Sequence, residues 1–164
     1  LYHRNIRVFD VYFSRVLLEV LGTSAALIVL IIGFYVFGLI PAPANLLYMA
    51  LAWILMAWFA LGLGITLGVL SHISDIFKRV WQAFSIVLMF ASGAFYLVDS
   101  FPVKIQSAAL LIPMVHGTEM LRHGYFGEQV RTYENVSFMV ISNLILMFVG
   151  LVLIQRFNNG VDSE

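Results

Sequence analysis

The chain has 164 residues, 62% of them hydrophobic and 11% charged, and a mean hydropathy of +0.96. This composition lies outside that of soluble globular domains and marks an integral membrane protein. Nine Lys and Arg balance nine Asp and Glu, so the net charge gives no reason to expect a nucleic-acid partner, and the lack of cysteine excludes disulfides and thiolate metal sites.

The N-terminal stretch RNIRVFDVYFSR, residues 4–15, alternates basic residues with apolar and aromatic ones, the pattern of an amphipathic helix lying at a membrane surface. Residues 16–40 follow, apolar apart from Glu19, Gly, Thr and Ser. Ala42-Pro43-Ala44 resembles a small-residue cleavage site, but a secretory apolar region runs about 7–15 residues. The greater length here predicts a retained membrane span over about residues 20–40. Glu19 stands one helical turn after Arg15, a spacing that predicts a local ion pair.

The segment PAPAN, residues 41–45, predicts a tight helical hairpin, because proline ends helices and biases the preceding residue away from them. A second span is predicted over residues 46–70, where Ala60, Gly64 and Gly68 leave one helix face nearly free of side chains for a neighbouring helix. The polar stretch SHISDIFKR, residues 71–79, leads to a third span at 80–98.

A loop of 37 residues follows, 99–135. Within it, 103–112 is apolar but too short to span and is bounded by Pro102 and Pro113, which predicts an interfacial or re-entrant helix. A second short helix is predicted over 118–125, beginning after Gly117 and ending at Gly124 or Gly127. The fourth span is predicted at 136–154, where Ser142 and Asn143 can hydrogen-bond across helices. No segment alternates polar and apolar residues as barrel strands do. The predicted fold is therefore an all-α, polytopic helical bundle with four transmembrane helices.

Lys and Arg accumulate on the cytoplasmic side of membrane proteins. Arg4, Arg7, Arg15, Lys78, Arg79 and Arg156 fall on one side of this topology, whereas Lys104, Arg122 and Arg131 on the other are offset by Asp99, Glu119, Glu128 and Glu134. Both ends of the chain are predicted to be cytoplasmic.

Chemistry concentrates in PMVHGTEMLRHGYFG, residues 113–127. His116, Glu119 and His123 stand at i, i+3 and i+7, one face of a continuous helix, and are of the nitrogen and oxygen types that bind zinc. An integral membrane metal-dependent hydrolase built on these three residues is thus one reading. The HExxH spacing is absent, and the competing reading pairs Glu119 with Arg122 or His123 within a surface turn. Ionisable residues are otherwise nearly missing from the predicted spans, which argues against an ion or proton pathway. No GxxxxGK[ST] phosphate loop is present, so any ATP-driven motor must be another chain. The numerous aromatic residues suit interfacial belts and helix packing, while a minority can stack on sugar faces along a pathway, and the sequence does not sort the two groups.

The stretches RNIRVFDVYFSRVLLE, SGAFYLVDSFP and IPMVHGTEMLRHGYFG, taken in this order, resemble the permeases of capsular polysaccharide ABC exporters. The resemblance covers essentially the whole chain, and the last two motifs are its most specific part. It implies a single permease domain over 1–164 that is the C-terminal part of a six-span protein, lacking about two N-terminal spans. It also implies a cytoplasmic interfacial segment at 1–15 and a periplasmic gate-like loop at 99–135.

By position, Arg4, Arg7, Asp10, Arg15, His72, Asp75, Lys78 and Arg79 would face a separate ABC ATPase, which binds ATP and Mg. His116, Glu119, Arg122 and His123 would belong to a periplasmic gate, and Phe34, Tyr35, Trp53 and Trp58 would be the candidate rings along the polysaccharide pathway. The resemblance implies no catalytic residue, metal or cofactor in this chain. It implies instead a second permease copy, periplasmic and outer-membrane capsule export proteins, and a lipid-linked polysaccharide moved across the bacterial inner membrane. Export of O-antigen, teichoic acid or a small drug by a related permease is the alternative within the same class.

Overall fold

The computed structural model describes residues 8–73 and 75–161. They form six α-helices: α1 (Val8–Val36), α2 (Leu46–Ile73), α3 (Asp75–Ala91), α4 (Val103–Ala109), α5 (Pro113–Phe126) and α6 (Val136–Val161). Short 3-10 turns at Val98–Ser100 and Gly127–Gln129 complete the order, and the described residues contain no strand.

Three helices are long and apolar enough to cross a membrane, over Phe13–Val36, Leu46–Ser71 and Val136–Arg156. Much of their surface is outward-facing hydrocarbon: Leu18, Val29 and Val36 on α1 and Phe148 on α6 are each about 70% exposed. Apolar exposure on this scale requires lipid or protein as the neighbouring phase.

The segment predicted to span at 80–98 is organised differently. Its helix begins earlier, at Asp75, and stops at Ala91 after 17 residues. At 1.5 Å per residue this is about 25 Å, short of the roughly 30 Å of a hydrocarbon core. The stop lies at Ser92-Gly93, where Gly93 takes φ +84° and turns the chain. Hydropathy continues through Phe95-Tyr96-Leu97-Val98, so composition alone hides the break.

Helix directions follow from their contacts. Trp53 Nε1 of α2 donates to Ser24 Oγ of α1 at 2.7 Å, and Val16 lies against Gly64, so the two helices run antiparallel. Against α6, Leu55 O accepts from Asn143 Nδ2, and Ile65 and Thr66 meet Gly150, so α2 and α6 run parallel. The α2–α6 seam encloses two apolar clusters, Ala52, Leu55, Met120 and Met139 toward one end and Ile65, Val69 and Ile154 toward the other.

Helix α5 lies antiparallel along the first half of α2, with Gly124 against Met49 and Gly117 against Met56. The predicted short helix at 118–125 is therefore a longer one that starts at Pro113 and contains Gly117. Proline at the first helical position loses no hydrogen bond and presets the backbone angle, which explains the earlier start. The predicted 103–112 element is α4 alone, and the turn at Leu110–Ile112 returns the chain into α5.

The PAPAN turn packs on the end of α5. Ala44 and Asn45 N–H donate to Tyr125 O and Gly124 O at 3.0 and 2.7 Å, and Tyr125 Oη donates to Pro41 O at 2.8 Å. Asn45 also caps α2, since its Oδ1 accepts from Tyr48 N–H at 3.0 Å.

Candidate functional site

The polar face of α5 is buried: His116, Thr118 and Glu119 are 4%, 9% and 1% exposed. Polar groups removed from water need partners, and these side chains find them within α5, on the turns after α3 and α4, and on the lead-in to α6.

Thr118 and Arg122, one turn apart, grip the C-terminal turn of α3. The Thr118 hydroxyl donates between Ser92 O at 3.0 Å and Val115 O at 2.9 Å, while Arg122 Nη2 donates to Gly93 O and, at 3.3 Å, to Ala94 O. Three consecutive carbonyls of the turn that follows α3 are thereby satisfied by α5. Glu119 orients the guanidinium through Oε1 at 2.7 Å from Arg122 Nη1, and its Oε2 accepts from Tyr133 N–H at 3.2 Å. This carboxylate ties α5 to the segment that leads into α6.

His116 bridges the same lead-in and the turn after α4. Its Nδ1 accepts from Asn135 N–H at 3.0 Å, which places the proton on Nε2, 2.9 Å from Leu110 O. His123 Nδ1 lies 2.6 Å from Glu134 Oε1, which also accepts from Tyr48 Oη at 3.3 Å. Burial of Glu134 raises its carboxyl pKa. Hydrogen bonds from Thr132, its own backbone N–H and His123 outweigh that and hold it below the usual value. On the outer side of the same lead-in, the Tyr133 phenol donates to Asp99 Oδ1 at 2.8 Å, and this bond holds the phenol pKa above its ordinary value.

His116, Glu119 and His123 thus share the helix face that their spacing predicted, but they do not converge. Both His116 nitrogens are engaged, Glu119 is committed to Arg122 and Tyr133, and His123 to Glu134. Among the described residues no three His, Asp or Glu side chains are placed to hold a metal ion. Tyr133, Glu134 and the carbonyls of residues 92–94 were not singled out by sequence reasoning. Only the folded lead-in to α6 and the turn at Gly93 bring them to α5.

The other sequence candidates are scattered. Arg15 and Glu19 line a cavity of about 660 Å³ with Thr23, Gly64, Ser71 and Trp81. The ion pair predicted between them is not formed among the described residues, and both residues are exposed. Lys78 and Arg79 sit in the first turns of α3. Arg4 and Arg7, and the side chains of Asp10, His72 and Asp75, lie outside the described residues. Of the aromatic candidates, Trp53 lines a small cavity between α1 and α2, Trp58 packs on the Ala52 cluster, and Phe34 and Tyr35 are exposed near the end of α1.

Long apolar helices around a buried polar α5 define a polytopic helical membrane domain. Its family is given by residues 1–126, which match the ABC-2 type transporter family, and the chain belongs to that family. It is 48% identical over all 164 residues to a capsule polysaccharide export inner-membrane protein, BexB, of Haemophilus influenzae, and 45% identical to CtrC of Neisseria meningitidis serogroup A, with the same description. The polysialic acid transport protein KpsM of Escherichia coli is 26% identical over 151 residues, which are 92% of this chain and 58% of that protein. The chain spans 62% of the length of BexB and of CtrC.

Proposed function

We propose that this chain is the membrane-spanning part of an ATP-driven exporter that moves lipid-linked capsular polysaccharide across a bacterial inner membrane. The observation that carries this reading is the 45–48% identity to capsule export proteins over all 164 residues of the chain. In this reading the chain is not an enzyme. ATP and Mg are bound by a separate ABC ATPase, two permease copies form the channel, and periplasmic and outer-membrane export proteins continue the path.

Both ends of the chain are cytoplasmic, and α3 supplies a fourth, short crossing in a bundle completed by about two further N-terminal spans. Such a topology places the turn at Gly93, α4, α5 and the lead-in to α6 on the periplasmic side. There His116, Glu119, Arg122 and His123 act as a latch and not as a metal centre. Arg15, Lys78 and Arg79 stand at the opposite face, where an ATPase would dock. Trp53 and Trp58 are the pathway candidates deepest in the bundle.

The test is purification in mild detergent of the protein expressed from its own gene, together with deletion of that gene. Co-purification of an ATPase stimulated by lipid-linked glycan, with loss of surface glycan in the deletion strain, is expected. Normal surface glycan in the deletion strain defeats the reading. A strain whose capsule returns with this gene, but whose resistance to small toxic compounds does not change, separates it from a drug exporter.

A further inference from the structure

Helix α3 is held weakly along its length and firmly at one end. Ile76, Val80, Ile86, Val87 and Phe90 are all more than half exposed, and α3 packs on α2 far less than α5 or α6 does. At its C-terminal turn the situation reverses. The consecutive carbonyls of Ser92, Gly93 and Ala94 are all taken by Thr118 and Arg122 of α5. The fit is close, because a Cβ on Gly93 would stand 2.6 Å from Thr118 Oγ1. Arg122 is itself fixed by Glu119, a carboxylate 1% exposed whose second oxygen holds Tyr133 N–H.

A rod attached at one end by carbonyl-directed, charge-assisted bonds and packed only sparsely along its sides moves with the element that grips it. The positive guanidinium also sits at the negative end of the α3 dipole, where a cation is favoured. We infer that Arg122, oriented by Glu119, is a positioning residue that makes the end of α3 and the α5 helix one mechanical unit, so that a displacement of α3 is delivered to α5 and to the lead-in of α6. This inference rests on the exporter reading only for what the movement accomplishes. The mechanical unit itself follows from the geometry.

These 164 residues hold no cysteine, so site-directed spin labels are placed at Phe90 of α3 and Phe126 of α5, both exposed, in the full-length protein with any cysteine outside this stretch or in the ATPase replaced, assembled with its ATPase and diluted with unlabelled copies. Electron-electron distances in Arg122→Ala are expected to spread relative to the unaltered protein. Arg122→Lys, which keeps a cation able to reach one carbonyl, should restore part of the narrow distribution, and Glu119→Gln should broaden it. A reference pair on Leu47 of α2 and Phe126 should stay unchanged, which shows that α5 itself remains folded.

In the same preparations glycan export should fall by roughly 5- to 150-fold, the usual range for coupling between sites, while ATP hydrolysis persists. A merely structural defect lowers both together. An unchanged Phe90–Phe126 distribution in Arg122→Ala overturns the inference, as does a broadened distribution with undiminished export. If the unaltered protein exports no glycan, the exporter reading fails while the distances still decide whether α3 and α5 move as one.

Discussion

A Cβ on Gly124 would stand 2.7 Å from the backbone nitrogen of Met49 and 2.9 Å from its Cα. Backbone atoms in the first turn of α2 cannot step aside as a side chain can. Gly124→Ala is therefore expected to push α5 off α2 and to break the Asn45 N–H to Gly124 O bond. A loss near the upper end of the overpacking range, about 3 kcal/mol, follows. Fluorescence-detected size exclusion after heating should record a clearly lowered melting temperature.

Gly117 provides the contrast on the same helix. Its added Cβ meets Met56 Cγ at 2.5 Å and Met139 Cε at 2.9 Å. Methionine side chains have three rotatable bonds and a soft thioether. Gly117→Ala should accordingly cost about 1 kcal/mol, at the mild end of overpacking. An equal loss for the two alanine substitutions would mean that the close approach at Met49 does not govern α5 docking.

Removing Glu119 leaves Arg122, whose side chain is 15% exposed, without its counter-charge, and leaves Tyr133 N–H without an acceptor. Breaking a buried ion pair from one side typically costs about 3–5 kcal/mol. Glu119→Ala should approach that figure, and Glu119→Gln, which can still accept from Tyr133, should lose less. Thermal melts of the two purified variants in one detergent give the comparison.

The depressed carboxyl of Glu134 sets the sign of a pH effect. Its folded-state pKa lies below the ordinary 4.5, so its stabilising contribution is complete above that value and is lost as pH falls through the lower, folded-state value. Melting temperature should hold as pH is lowered toward 5 and decline below about pH 4.5. Glu134→Gln should flatten the part of the decline that this group causes. An identical acid profile for both proteins counts against the role of Glu134.

Asn143 is 1% exposed on α6, and its Oδ1 has no hydrogen-bond partner, while Nδ2 donates to Leu55 O at 2.9 Å. Interhelical hydrogen bonds in membranes average about 0.6 kcal/mol, less than the roughly 1–3 kcal/mol cost of an unsatisfied buried polar atom. Asn143→Leu should leave stability unchanged or raise it. Asn143→Ala, which leaves a void beside Leu55, should lower it by about 1–2 kcal/mol. Chemical denaturation in mixed micelles can rank the three proteins.

Sequence patterning was sufficient for the existence of the three long helices, the PAPAN hairpin and the shared face of His116, Glu119 and His123, although α1 runs unbroken over Val8–Val36 where a surface helix at 4–15 and a span at about 20–40 were predicted. Each depends on local properties: twenty or more apolar residues, the backbone restriction of proline, and the 3.6-residue period. The end of α3 was not legible, because hydropathy runs on through Leu97 and Val98 while Gly93 turns the backbone. Nor was the start of α5, where Gly117 looks like a boundary until Met56 is found occupying the space its side chain would need. The partners were furthest from view. Glu119 meets Arg122 within one helical turn, as spacing predicts, but what Arg122 then holds lies 28 and 29 residues away at Ala94 and Gly93, and Glu134 reaches Tyr48 across 86 residues. Local sequence determines which segments become helices and which of their faces are polar. Only the packing of α5 between α2 and the lead-in to α6 decides which buried donor meets which acceptor, because desolvation acts on the groups that the fold brings together.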